Sequence, residues 1–208
     1  MSKKIIAVAA AVIILASIGI VGGTMAWFTD EATAENVFTT GRVTANLTVT
    51  PGNGAEASQS KPGGVSFNAL MPGDTLFEKV TFALDQSSAD AFVRMKFTVT
   101  VNEGGDKVVD RKGAKVSDVI AGHVAAAIPK DWQKGSDGWC YLNRSMSNSS
   151  SVDFIPGVLK FDGDKFDNNF QGIKFSIEFE AHAIQTANQN ISHPYTAEKL
   201  AKLAWPAN

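Results

Sequence analysis

Past residue 41 the chain alternates apolar and polar residues in short runs, and a period of two marks a strand with one buried face. In FVRMKFTVTV, 92–101, Val93, Met95, Phe97, Val99 and Val101 share one face, while Phe92, Arg94, Lys96, Thr98 and Thr100 share the other. IKFSIEFEA, 173–181, repeats the pattern, with Ile173, Phe175, Ile177 and Phe179 opposed to Lys174, Ser176, Glu178 and Glu180. Two weaker runs are RVTANLTVT, 42–50, led by Val43, Ala45, Leu47 and Val49, and TLFEKVTFAL, 75–84, where Glu78 interrupts a face of Leu76, Val80, Phe82 and Leu84. One-face burial is expected of antiparallel sheets packed on a core. Proline, glycine and aspartate clusters at 51–54, 62–64, 72–74, 104–106 and 162–164 supply the turns between runs. Helical spacing is confined to two places. One is 116–128, with Val116, Val119, Ile120, Val124 and Ala127 ahead of Pro129; the other is 196–205, between Pro194 and Pro206. The pattern predicts a mainly-β fold: a two-sheet antiparallel sandwich of jelly-roll type, with one or two short helices in its connections.

The N-terminus follows a different logic. Lys3 and Lys4 precede a run, 5–21, that is apolar apart from Ser17, and Gly22 and Gly23 then break it before Thr24, Met25 and Ala26. A basic start, an apolar stretch and small residues describe an export signal, with cleavage expected between Ala26 and Trp27. A retained membrane anchor is the rival reading, because the run is at the short end of what spans a bilayer. Cleavage would leave a domain, 27–208, that begins with two adjacent aromatics, Trp27 and Phe28.

Composition narrows the function classes. The chain has 208 residues, 44% of them hydrophobic, and a net charge of -2, so one core is expected and no basic footprint for nucleic acid is present. Cys140 stands alone, which rules out an internal disulfide, and it reads as a small half-buried hydrophobe beside Trp139 and Tyr141. The three histidines, His123, His182 and His193, show no His-Glu-x-x-His spacing, so a zinc site would have to be assembled by folding. Asp162, Asp164 and Asp167 suggest calcium at first glance, yet their loop lacks the sixth-position glycine and twelfth-position glutamate of an EF-hand and reads as a solvated turn. There is no Gly-x-Ser-x-Gly elbow and no phosphate-cradling glycine loop. No catalytic residue and no cofactor is expected.

What the inventory leaves unexplained is the aromatic start, and there the residues reach a family. GGTMAWFTDEATAENVFTTGRV, 22–43, resembles the signal-cleavage junction of the TasA and camelysin (CalY) proteins of Gram-positive bacteria, where a SipW-type signal peptidase cuts ahead of an aromatic segment. LMPGDTLFEKVTF, DAFVRMKFTV, DGWCYLN and FEAHAIQTANQ resemble further elements of that family, in the same order and over most of the mature chain. The resemblance implies a secreted jelly-roll subunit of a biofilm matrix or cell-surface fibre, with the chain itself as partner in a head-to-tail homopolymer, and an accessory anchor as a possible second partner. The segment 27–40, with Trp27, Phe28, Val37 and Phe38, would then be a donor strand added to the sheet of the next subunit; folding back onto its own subunit is the alternative, since both use the same edge geometry. Camelysins are also described as metalloproteases, which leaves a secreted zinc protease using the three histidines as a competing expectation. A third is a monomeric adhesin binding a glycan through Trp132 and Trp139, set against the plainer reading that those rings pack in the core or beneath a loop.

Overall fold

The computed structural model describes residues 34–40, 43–52, 55–57, 63–68, 71, 73–108, 113–161, 166, 170 and 172–206, all within one unit spanning 31–208. The expected signal, with Ala26, Trp27 and Phe28, and the aspartates of the 162–169 loop lie outside the described residues. In chain order the elements are β1 (Ala34–Thr40), β2 (Val43–Pro51), β3 (Ala55–Ala57), β4 (Gly64–Phe67), β5 (Thr75–Leu84), β6 (Ala91–Glu103), α1 (Val116–Ala126), β7 (Trp132–Lys134), β8 (Cys140–Leu142), β9 (Ser151–Ile155), β10 (Leu159–Lys160), β11 (Lys174–Gln185) and α2 (Ala197–Leu200). They make two antiparallel sheets. The first runs β1-β2-β5, with β9 and β10 both pairing along the far side of β5; the second runs β3-β4-β11-β6-β8-β7.

The alternation read from the sequence is the alternation of burial. Along β2, Val43, Ala45, Leu47 and Val49 are fully buried and the residues between them are half-buried. β11 pairs with β6 from Lys174 opposite Glu103 to Gln185 opposite Ala91, and this ladder is the spine of the second sheet. The sheets meet face to face through aromatic rings. Phe77 of β5 stands edge-on to Phe67 at 5.6 Å and to Phe179 at 5.2 Å, and Phe154 of β9 does the same to Trp132 at 5.1 Å. Each such ring pair adds about 0.5–1.5 kcal/mol beyond the area it buries.

Glu78 interrupts the β5 pattern because the strand is bulged there. Thr50 lies opposite Lys79 and Pro51 opposite Phe77, so Glu78 is an extra residue with no opposite number. The bulge shifts the side-chain phase. Phe77 therefore joins the inter-sheet rings, while Leu76, also buried, is displaced from the alternation of Val80, Phe82 and Leu84.

Helix α1 forms where its spacing predicts it and buries Val116, Ile120 and Val124. Its start is tied down by the Lys115 N–H donating to the Asp118 carboxylate at 3.1 Å, and by the N–H and hydroxyl of Ser117, each donating to Asp106 at 2.9 Å. The second helix is a correction: α2 is four residues long, not ten. Thr196 caps its N-terminus, and the Trp205 indole turns back to donate to the Leu200 carbonyl at 2.8 Å, closing the helix. From Ile191 onward this C-terminal segment lies as a strap whose Ala197 and Leu200 pack on Phe92, Trp139 and Tyr141 in a separate apolar cluster. That cluster occupies the outer face of the second sheet, the face opposite Met95 and Cys140 of the main core.

Candidate functional site

Four sheet edges exist among the described strands, and they are not equivalent. β1 forms one edge of the first sheet and pairs antiparallel with β2 of its own chain, from Ala34 opposite Val49 to Thr40 opposite Val43. Two residues, Gly41 and Arg42, connect the strands, so β1 and β2 are the arms of a hairpin. Phe38 pairs with buried Ala45, and Val37 with Asn46, whose Oδ1 is buried without a hydrogen-bond partner. The backbone of half the sequence-expected donor segment is thus a real edge strand, in place on its own subunit.

At the opposite edge of the same sheet two backbone carbonyls already have side-chain partners. On β9, the Asp153 carbonyl accepts from the Trp132 indole at 2.9 Å, reaching across from β7. On β10, the Lys160 carbonyl accepts from His123 Nε2 at 2.7 Å, reaching down from α1. A carbonyl can only accept, so His123 carries its proton on Nε2 and leaves Nδ1 buried without a partner. No signal in the sequence announced these contacts, which join residues 21 and 37 positions apart.

The three histidines have separate tasks. His123 guards β10 and stands edge-on to Phe166 at 5.0 Å. His182 sits on the outer face of β11, where its Nδ1 accepts from Arg94 Nη2 at 2.9 Å and its Nε2 faces Glu180 at 3.1 Å. Burial and the adjacent Arg94 guanidinium push its basicity down, with Glu180 opposing. His193 lies in the strap, 5.5 Å from Tyr195 ring to ring. The competing three-histidine reading finds no support in this arrangement: among the described residues no group of three or more His, Cys, Asp or Glu could hold a metal ion. Of the three, only His182 has both ring nitrogens engaged, by Arg94 and by Glu180.

Two further expectations fall in the core. Trp132 and Trp139 are 5% and 7% exposed, the first inside the sandwich and the second beneath the strap, so neither can present a face to a glycan. Cys140 is buried in the main core, and burial pushes its thiol pKa up, the behaviour of an inert packing residue.

The model of the camelysin metallo-endopeptidase family matches residues 1–137. The chain belongs to that family. Comparison with curated proteins and with solved structures gives no match. The camelysin match runs from the N-terminus through β7 and includes His123, whereas His182 and His193 lie beyond it. The family's description implies a catalytic metal, and the described residues of this camelysin do not fit one.

Proposed function

We propose that this camelysin is a secreted structural subunit, not an enzyme, that polymerises head-to-tail into extracellular or cell-surface fibres by donating its N-terminal segment, 27–40, to the first sheet of the next subunit. Its partners in this reading are further copies of itself, the SipW-type signal peptidase that frees Trp27, and an accessory anchor. The observation that carries the reading is the position of β1: it is the terminal strand of its sheet and is joined to the rest of the fold through β2. If β1 leaves, β2 becomes an open edge whose N–H and C=O groups need partners, and β1 of a second copy can make the same ladder in the same register. Contacts within the exchanged strand are conserved, so exchange is governed by concentration and by what the residues ahead of Ala34 add. Trp27 and Phe28 would contribute about 1.5–3 kcal/mol each on burial, before the cost of ordering them. Head-to-tail exchange does not close on itself, and it therefore builds filaments. One carbonyl of β9 and one of β10 already accept from Trp132 and His123, which favours the β1 side as the one that exchanges a strand.

The test is negative-stain electron microscopy of the chain beginning at Trp27, beside a version lacking 27–40 and a double variant, Glu35→Cys with Thr48→Cys. Those two residues are opposite each other across β1 and β2, so their disulfide ties the donor to its own subunit. Filaments are expected from the first protein, none from the truncation, and filaments from the double variant only after reduction. Filaments from a folded truncation, or from the oxidised double variant, would overturn the proposal.

A further inference from the structure

Beneath the strap the outer face of the second sheet carries a cluster of rings and cations. The Arg94 guanidinium lies over two indoles, 4.0 Å from Trp139 and 4.8 Å from Trp205, and Lys96 Nζ also lies over Trp139, at 4.4 Å. Neighbouring polar groups complete a chain. Tyr141 donates to Asp137 at 2.5 Å, Arg94 donates to His182 Nδ1 through both Nη2 at 2.9 Å and Nε at 3.3 Å, His182 Nε2–H meets Glu180 at 3.1 Å, and Glu180 also pairs with Lys96 at 2.8 Å. Trp205 belongs to the strap, so Arg94 is one of the contacts that seat it, beside the Ala197 N–H donating to Gln133 Oε1 at 3.0 Å and Tyr195 edge-on to Phe92 at 4.9 Å.

Neutral His182 offers Arg94 a lone pair at Nδ1, beside the Tyr141 side chain and the two indoles that also hold the guanidinium. A protonated imidazole has N–H on both nitrogens, so its Nδ1 would face the guanidinium donor to donor as well as cation to cation. The charged groups at the ring are Arg94 and Lys96 from β6 and Glu180 from β11, with Trp139 packed on it at 4.6 Å; Tyr141 and Asp137 of the β7–β8 hairpin lie beyond Arg94, and the strap's own titrating group is His193, next to Tyr195. Glu180 alone among the immediate neighbours favours the cation, and it is already shared with Lys96.

The geometry points to a pH-operated latch: neutral His182 fixes the Arg94 guanidinium on which Trp205 stacks, and protonation of His182 unseats Arg94 and frees the strap, 191–205, from the sheet. The direction of the His182 shift agrees. Its folded-state pKa is lowered, by burial first and Arg94 second, so the unfolded chain takes up the proton more readily than the folded one. The stabilisation is therefore complete above the ordinary imidazole value near 6.5 and declines as pH falls through it. Opening would expose the apolar floor of Phe92, Trp139 and Ile184 on a face that does not include the β1 edge, which makes the latch independent of the fibre reading.

The experiment is hydrogen exchange of the purified full chain at about pH 7.5 and about pH 5.5, either side of the ordinary imidazole value, with rates corrected for intrinsic exchange. A several-fold loss of protection confined to 191–205 is expected at the lower pH. The same response is expected from His193→Gln, which removes the strap's own titrating group, and none from His182→Gln, which cannot be protonated. Equal protection of the strap at both pH values, or an undiminished response in His182→Gln, would overturn the latch. A second measurement needs no variant: in an NMR titration the His182 ring and the Trp205 indole N–H should move with one midpoint, and a Trp205 signal that stays still while His182 titrates would also overturn it.

Discussion

At the residue scale two glycines separate space from conformation. A Cβ on Gly52 would lie 2.0 Å from the Thr75 carbonyl oxygen, a backbone atom that cannot step aside, at the point where the Gly52 N–H donates to the Leu76 carbonyl at 3.0 Å. Gly122, inside α1, has nothing within 4 Å of the same position. Opposite outcomes follow: Gly52→Ala should cost about 3 kcal/mol or more, the upper end for overpacking, whereas Gly122→Ala should add about 0.5–1 kcal/mol by helix propensity. Urea denaturation of the two variants reads both signs. Cys140 supplies a second test at this scale. A thiol reagent at neutral pH should leave it intact in the folded protein and label it fully in denaturant, and rapid native labelling would mean that β8 opens. The sequence exposed Cys140 correctly as a packing residue. It could not expose the task of His123, because neither the carbonyl that His123 serves nor the tautomer this imposes is written in its neighbours.

At the element scale the long strands were legible and the short ones were not. β2, β6 and β11 carry four or more apolar residues in strict alternation, enough to establish a phase. β7, β8 and β10 are two or three residues long, and no periodicity can be read from so few. Glu78 looked like a fault in β5 because a bulge moves the phase by one residue, and a bulge is a property of the pair, not of the strand that holds it. The ten-residue helix expected at the C-terminus shrank to four for a similar reason. Its apolar side chains are spent on a sheet face, and Trp205 does more for the fold by turning back onto the Leu200 carbonyl and Arg94 than by extending the helix. The capping of β9 makes a prediction here. Trp132→Phe keeps the ring against Phe154 but removes the donor to the Asp153 carbonyl, and a loss of about 1–3 kcal/mol is expected for the orphaned acceptor. A thermal unfolding curve unchanged from the parent would show that water replaces the indole without cost.

At the scale of the whole molecule, a mainly-β sandwich and membership of the camelysin family were both readable from alternation, turn spacing and the order of a few segments. The organisation of the edges was not, since it depends on which strands neighbour each other after folding. That organisation gives the two sheets different characters. The first has side-chain partners on two carbonyls at one side and ends on the other in a hairpin arm; the second is covered over part of its outer face by the strap.

The hairpin geometry of β1 also carries a mechanical consequence. Pulled from its free end, an arm folded back beside its own neighbour peels open one residue pair at a time, so a small force suffices. The same seven residues, laid along a neighbouring molecule and loaded lengthwise, must give way together. A strand that is easy to unzip at home would be hard to shear in a filament, so the arrangement that makes it available for exchange would also let it bear tension once exchanged.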